Sequence, residues 1–223
     1  MKKYIFVAAL IASTVLTSCT LSPMRSVPTS PVVSPTPVVP VVPVAAGPNG
    51  EMRVSANEVK FNSGALNLET RMSYLDSENK VYKEATAWEL LGKFPKNIVY
   101  FYPKDGTPNC TIQAIDFSRL QKEFNALGVG ILGVSKDNLD SHREFALRNE
   151  LTIPLLRDDK SMLLGAYGAL GPAVVYGNWV ALTDIVRSTY LVDSKWVPLA
   201  AWTTVSATGH AERVLEYVKS LAK

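Results

Sequence analysis

Phe101-Tyr102-Pro103-Lys104-Asp105-Gly106-Thr107-Pro108-Asn109-Cys110 lies between two segments of different period. Upstream, Ile98-Val99-Tyr100-Phe101-Tyr102 is apolar, β-branched and aromatic, the signature of a buried strand. Downstream, Phe117, Leu120, Phe124 and Leu127 fall on one face of a helix. The decapeptide is therefore a strand–loop–helix junction, with Cys110 in the first turn of the helix it opens. The first backbone N–H groups of a helix lack internal acceptors and, with the helix dipole, favour negative charge. That position favours the thiolate, the nucleophilic form of cysteine. Thr107 offers a hydroxyl three residues earlier, and Pro103 and Pro108 stiffen the loop. On the residues alone two readings of Cys110 stay open, a reactive thiolate or a small buried hydrophobe near a helix start.

The spacing P-x-x-x-T-x-x-C, filled by Pro103, Thr107 and Cys110, resembles the active-site signature of the peroxiredoxins. The run from Tyr100 to Thr111 is similar to the Y-F-Y-P-K-D-x-T-P-x-C-T pattern of the peroxiredoxin Q (bacterioferritin comigratory protein) subfamily. Gly133-Val134-Ser135, Ala166-Tyr167-Gly168, Arg187 to Asp193 and the Gly209 to Glu216 helix resemble the same subfamily, in the same order. The resemblance spans about residues 66–223. It implies a thiol-dependent peroxidase of hydrogen peroxide or organic hydroperoxides, needing no cofactor. Cys110 would be the peroxidatic thiolate, and Arg187 would stabilise charge on the sulfur and on the breaking O–O bond. Thr107 would hold thiolate and peroxide, and Pro103 would shield the site. By its residue type alone, Arg187 would be a surface charge. The subfamily's usual opening motif, G-x-x-A-P-x-F-x-L, is missing from residues 51–96.

Further along, Met72 to Tyr82 reads as a hairpin around Asp76-Ser77-Glu78-Asn79, and Trp88 to Gly92 as one helical turn. Gly128-Val129-Gly130-Ile131-Leu132-Gly133 spells G-x-G-x-x-G. Its glycines lie before and inside an apolar run, so it reads as a parallel strand with close backbone packing, not a dinucleotide loop. A helix from Asn138 to Glu150, a strand over Ile153-Pro154-Leu155-Leu156 and a short helix from Ser161 to Tyr167 follow. Asp158-Asp159 reads as a solvated helix cap. Residues 169–186 read as a connection with an exposed Trp179. Arg187 to Asp193 and Trp196 to Trp202 read as paired strands turning at Asp193-Ser194-Lys195, before a final helix carrying Val214, Leu215, Val218 and Leu221. Alternating strands and helices, then a hairpin and a closing helix, predict an α/β, thioredoxin-like sandwich with a central mixed sheet flanked by helices.

The first 50 residues are of another kind. Lys2 and Lys3 precede an apolar stretch from Tyr4 to Leu16, a signal-peptide layout too short for a membrane span. Leu16-Thr17-Ser18-Cys19 resembles the lipobox of bacterial lipoproteins, in which Cys19 would be lipidated and become the first mature residue. An ordinary secretory signal that leaves Cys19 free is the alternative. Residues 1–18 are thus expected to be a leader, and 19–50, rich in Pro and Val, an extended tether. Residues 51–65 are a lead-in of unclear form, and 66–223 the folded domain. The expected place is the cell envelope, anchored by lipid to a bacterial membrane and facing the periplasm or exterior.

The 223 residues carry a net charge of +3, without a block of like charge that would point to nucleic acid. Cys19 and Cys110 are the only cysteines, and no C-x-x-C is present. The two histidines, His142 and His210, are far apart in sequence, so a structural metal site lacks ligands. Many subfamily members carry a resolving cysteine five residues after the first; Ile115 stands there. If Cys19 is lipidated, one thiol remains. The expectation is a one-cysteine peroxidase recycled by an external thiol, a thioredoxin-like protein or small thiol, with a Cys110-linked homodimer as one accessible form. An oxidising envelope supplies little reductant, so a dedicated donor is needed. Two other readings stay open: a catalytically retired thioredoxin-like binding module and, against the lack of C-x-x-C, a thiol–disulfide oxidoreductase.

Overall fold

The computed structural model describes residues 52–55, 61–175, 178–203 and 205–222, with backbone only for 52–55 and 172–184. The leader expected at 1–18 and the Cys19 tether expected through residue 50 lie outside the described residues.

Strand β4 (Lys96–Phe101) is central. Its side chains alternate between two hydrophobic clusters, Ile98 and Tyr100 in one and Val99 and Phe101 in the other, as a period of two requires. All four are fully buried, as expected of a strand covered on both faces. Strands β5 (Val129–Ser135) and β6 (Leu155–Arg157) extend the sheet in parallel on one side. On the other, β9 (Ser188–Asp193) pairs antiparallel with β4. With β1 (Met52–Ser55), β2 (Arg71–Asp76), β3 (Val81–Thr86) and β10 (Pro198–Thr203), the order is β1-β10-β9-β4-β5-β6-β2-β3. The sheet is mixed, as the sequence pattern predicts, and it takes in Met52–Ser55 from the stretch the sequence leaves as a lead-in.

Helices α2 (Pro108–Ala126), α3 (Leu139–Arg148) and α5 (His210–Ser220) cover one face, through Phe117, Phe124, Phe145, Val214 and Val218. Helices α1 (Ala87–Leu91) and α4 (Met162–Ala166) cover the other, through Leu91, Leu163 and Leu164. The parallel strands require such crossovers, because a tight turn cannot reverse the chain twice. The glycines of the 128–133 run act through space and backbone. Gly128, at φ +72°, ends α2 in the left-handed conformation. A Cβ on Gly133 would lie 2.6 Å from the hydroxyl of Tyr100, its register partner.

Four expectations change. Residues 169–186 are not a plain connection: β7 (Leu170–Val175) and β8 (Asn178–Ile185) form a separate two-stranded sheet. The signal was present, since Gly177-Asn178 separates two apolar, β-rich runs. The side chain of Trp179 lies outside the description. The third parallel strand starts at Leu155, not Ile153. Trp196 is a turn residue at φ +65°, not a strand residue. It is fully buried, and its indole N–H donates to the Ala87 carbonyl at 2.8 Å, a polar partner that a buried tryptophan needs. Finally, Asp158 is a cap but not a solvated one. It is buried, its carboxylate accepting from the backbone N–H of Met162 at 2.8 Å and of Leu164 at 2.9 Å.

Candidate active site

Cys110 is the third residue of α2. The first intrahelical bond runs from Thr111 N–H to the Thr107 carbonyl at 2.9 Å. The N–H groups of Asn109 and Cys110 precede it and have no helical acceptor, and Pro108 contributes none. Thr107 occupies the N-cap but makes no side-chain cap. Its hydroxyl, expected at the sulfur, donates to the Lys104 carbonyl at 3.0 Å. The positive end of α2 is therefore left without a protein anion of its own.

Arg187 comes from the far side of the sequence. The register of β4 against β9 pairs Phe101 with Ser188, which puts Arg187 just beyond the C-terminal end of β4, where α2 begins. Its Nη2 donates to the sulfur of Cys110 at 3.1 Å, and its Nη1 donates to Gln113 Oε1 at 2.6 Å. Gln113 lies one turn after Cys110 on the same helix face. The planar guanidinium is thus held at two points, with one N–H aimed at sulfur. Cys110 is as buried as a core residue, at 1% exposure, yet its sulfur meets a permanent cation. No packing role accounts for that contact. Pro103 is exposed on the rim and Thr107 is half-buried.

Two tyrosines form the inner wall. Tyr100 stacks between Tyr102 and Phe117, at centroid distances of 5.5 and 4.8 Å. Burial first, then the charges of Asp105 and Cys110, push its phenol well above the usual range, so it stays neutral. Burial likewise holds the Tyr102 phenol protonated, and it donates to Asp105 Oδ1 at 2.8 Å.

The structure thus brings Cys110 and Arg187 together and keeps Thr107 and Pro103 on the adjoining loop. It adds Gln113, which no motif in the sequence singles out. Its position three residues after Cys110 was the available signal. His142 and His210, isolated in sequence, each have a partner: Asp105 at 2.8 Å and the Thr189 hydroxyl at 2.9 Å. Among the described residues no group of three or more His, Cys, Asp or Glu could hold a metal. A cleft of about 340 Å³ opens beside Asn97 and Gly130, at the opposite end of the parallel strands from Cys110.

The sequence pattern of the AhpC/TSA family matches residues 76–197. Peroxiredoxin Bcp of Xanthomonas campestris is 39% identical over 126 residues, 56% of this chain and 78% of that protein. Peroxiredoxin Bcp of Bacillus subtilis is 32% identical over 126 residues, 56% of this chain and 79% of that one. A solved structure of the Xanthomonas campestris bacterioferritin comigratory protein, studied for its alkyl peroxide reduction activity, superposes with a TM-score of 0.64 at 31% identity. It covers 74% of this chain and 100% of that chain. Likeness at this level in both sequence and fold means that the chain belongs to the AhpC/TSA family, in its peroxiredoxin Q/Bcp branch, and is a thiol-dependent peroxidase.

Proposed function

We propose that Cys110 is the peroxidatic residue and that the enzyme turns over with this one thiol. The Arg187 bond to the sulfur, at a helix start left uncapped, carries the reading. The thiolate attacks one oxygen of hydrogen peroxide or an alkyl hydroperoxide. An S–O bond forms as the O–O bond breaks, two electrons pass from sulfur to peroxide, and the leaving oxygen takes a proton to depart as water or alcohol. Arg187 stabilises the charge on sulfur before attack and on the departing oxygen during it. The N–H groups at the start of α2 donate to the peroxide, the Thr107 hydroxyl oxygen accepts from it, and Pro103 shields the sulfenic acid from water.

Bcp proteins are typically of the two-cysteine type. Here Cys110 is the free cysteine among the described residues, and Ile115 stands five residues on, exposed on α2. An external thiol, from a thioredoxin-like protein or a small molecule, therefore condenses with the sulfenic acid, releasing water and leaving a mixed disulfide. A second thiol then frees Cys110. The test is the rate at which hydrogen peroxide oxidises Cys110 in the reduced protein, beside a free thiol. Oxidation should be faster by orders of magnitude, add one oxygen at Cys110, and vanish in Cys110→Ser. A rate no better than the free thiol supports the retired binding module instead. A Cys19–Cys110 disulfide in protein from cells would overturn the one-cysteine cycle.

We also propose that lipidated Cys19 tethers the enzyme to a membrane of the cell envelope, facing the periplasm or exterior. The lysines, apolar stretch and lipobox-like tetrapeptide support it. Among the described residues no helix is long and apolar enough to cross a membrane. Cys19→Ser should abolish fatty-acid labelling and move the protein to the soluble fraction; unchanged labelling would refute the assignment.

A further inference from the structure

The loop that carries Pro103 and Thr107 is fixed at one residue, Asp105. Its carboxylate is only 5% exposed and accepts three bonds of 2.8 Å each: from the Tyr102 hydroxyl at the end of β4, and from the Ser141 hydroxyl and His142 Nδ1 in the first turn of α3. Its backbone N–H donates to Asp137 Oδ2, also at 2.8 Å, and that carboxylate oxygen takes a second bond from Ser135 at the end of β5. A single loop residue is thus tied to β4, to the segment after β5, and to α3. Gly106, at φ +69°, turns the chain directly after it, and Thr107 follows.

His142 is fully buried, and its Nε2 has no hydrogen-bond partner. An apolar side chain at that place would avoid leaving a ring nitrogen unpaired, and replacing a buried polar pair by apolar groups is often neutral or stabilising. What the pair does supply is geometry. The carboxylate is aimed at α3 and ties the loop to it beside the mouth of α2.

We propose that Asp105 and His142 are positioning residues for peroxide reduction: their buried bond sets the aim of Thr107 and of the first turn of α2 at the peroxide, without touching it. The inference rests on the peroxidatic reading of Cys110. Two reactions of that thiol separate positioning from mere packing. Hydrogen peroxide needs the aligned N–H groups of the α2 start and the Thr107 hydroxyl oxygen as acceptor, as well as the thiolate. Iodoacetamide needs the thiolate and access alone.

In the reduced full-length protein, His142→Ala should lower the second-order rate of Cys110 oxidation by hydrogen peroxide by about 10- to 100-fold, the scale of a small misplacement of reacting groups. Alkylation by iodoacetamide should hold or rise. His142→Asn, which keeps a short N–H donor facing Asp105, should recover most of the peroxide rate. Ser141→Ala removes one outer bond to the same carboxylate without opening the core, so it serves even where His142→Ala does not fold. It should cost about threefold in the peroxide rate alone. Parallel loss in both reactions, no loss with peroxide, or a His142→Asn enzyme as slow as His142→Ala would overturn the proposal. If the wild-type protein itself reacts with peroxide no faster than a free thiol, it is the assignment of Cys110 that fails.

Discussion

Two strand–turn–helix junctions of this molecule, β4 into α2 and β6 into α4, leave the same end of the parallel strands with β5 between them, and they treat their helix starts in opposite ways. At the second, Asp158 folds back and occupies the first N–H groups of α4 with its own carboxylate. At the first, the acid of the loop is turned away. Asp105 spends its oxygens on Tyr102, Ser141 and His142, and Thr107 gives its hydroxyl to Lys104 rather than to the helix. A helix end is a binding site for negative charge. The α4 junction fills it with protein and becomes structure; the α2 junction leaves it open, sets a sulfur there and brings Arg187 across from β9.

The contrast can be broken most directly at its cation. Arg187→Ala should lower the rate of Cys110 oxidation by about 10²–10³-fold, as loss of one aimed donor does, and leave the fold intact by circular dichroism. The complementary change at the other junction, Asp158→Ala, should cost about 1–3 kcal/mol of stability in urea unfolding, by stranding buried N–H groups. Its peroxide rate per folded molecule should not change. Thr107→Asp gives α2 the kind of cap that α4 has. It should lose about tenfold in peroxide rate while gaining up to about 1 kcal/mol in stability. Thr107→Asn, a cap without charge, separates the lost hydroxyl from the added carboxylate.

The smallest effect is a matter of sign. Burial opposes ionisation of Asp76, but bonds from Lys83 and Asn79 outweigh it and hold the carboxyl at about 2 against an ordinary 3.8. The native state then binds fewer protons than the unfolded chain between those values. The contribution of Asp76 is complete above about pH 4 and is lost as pH falls through about 2. Asp158 is shifted the other way: burial raises it above 3.8, and the N–H bonds of Leu164, Met162 and Leu163 only partly offset this. Its ionised form therefore costs stability as pH rises above that value. The urea midpoints of Asp76→Asn and Asp158→Asn, each set against wild type from about pH 2 to 6, should diverge with opposite slopes.

Much of this was legible in the chain. The apolar run ending at Tyr102, the helical period after Cys110 and the two prolines located the junction, since each is a local pattern that burial on a sheet or helix face imposes. Asp158 reads as solvated because a pair of adjacent acids looks so until the packing of α4 encloses one of them. The β7–β8 hairpin has only Gly177-Asn178 to mark it in the sequence, and Trp196 reads as a strand residue because aromatic residues favour strands when nothing else is known. Gln113 and the Asp105–His142 bond had no local signal strong enough to single them out.

The sequence by itself settled that a cysteine opens a helix after a buried strand, because spacing and residue type decide local structure. Only the tertiary structure decided what faces that cysteine. Arg187 is 77 residues away, and it arrives because β9 pairs with β4 in the register that sets Ser188 opposite Phe101. Shifting that register by one residue would carry the side chain to the other face of the sheet. The same holds for His142, 37 residues from Asp105, which the β5–α3 crossover delivers to the loop. Contacts of that range depend on how strands align and helices cross, and no short stretch of residues encodes them.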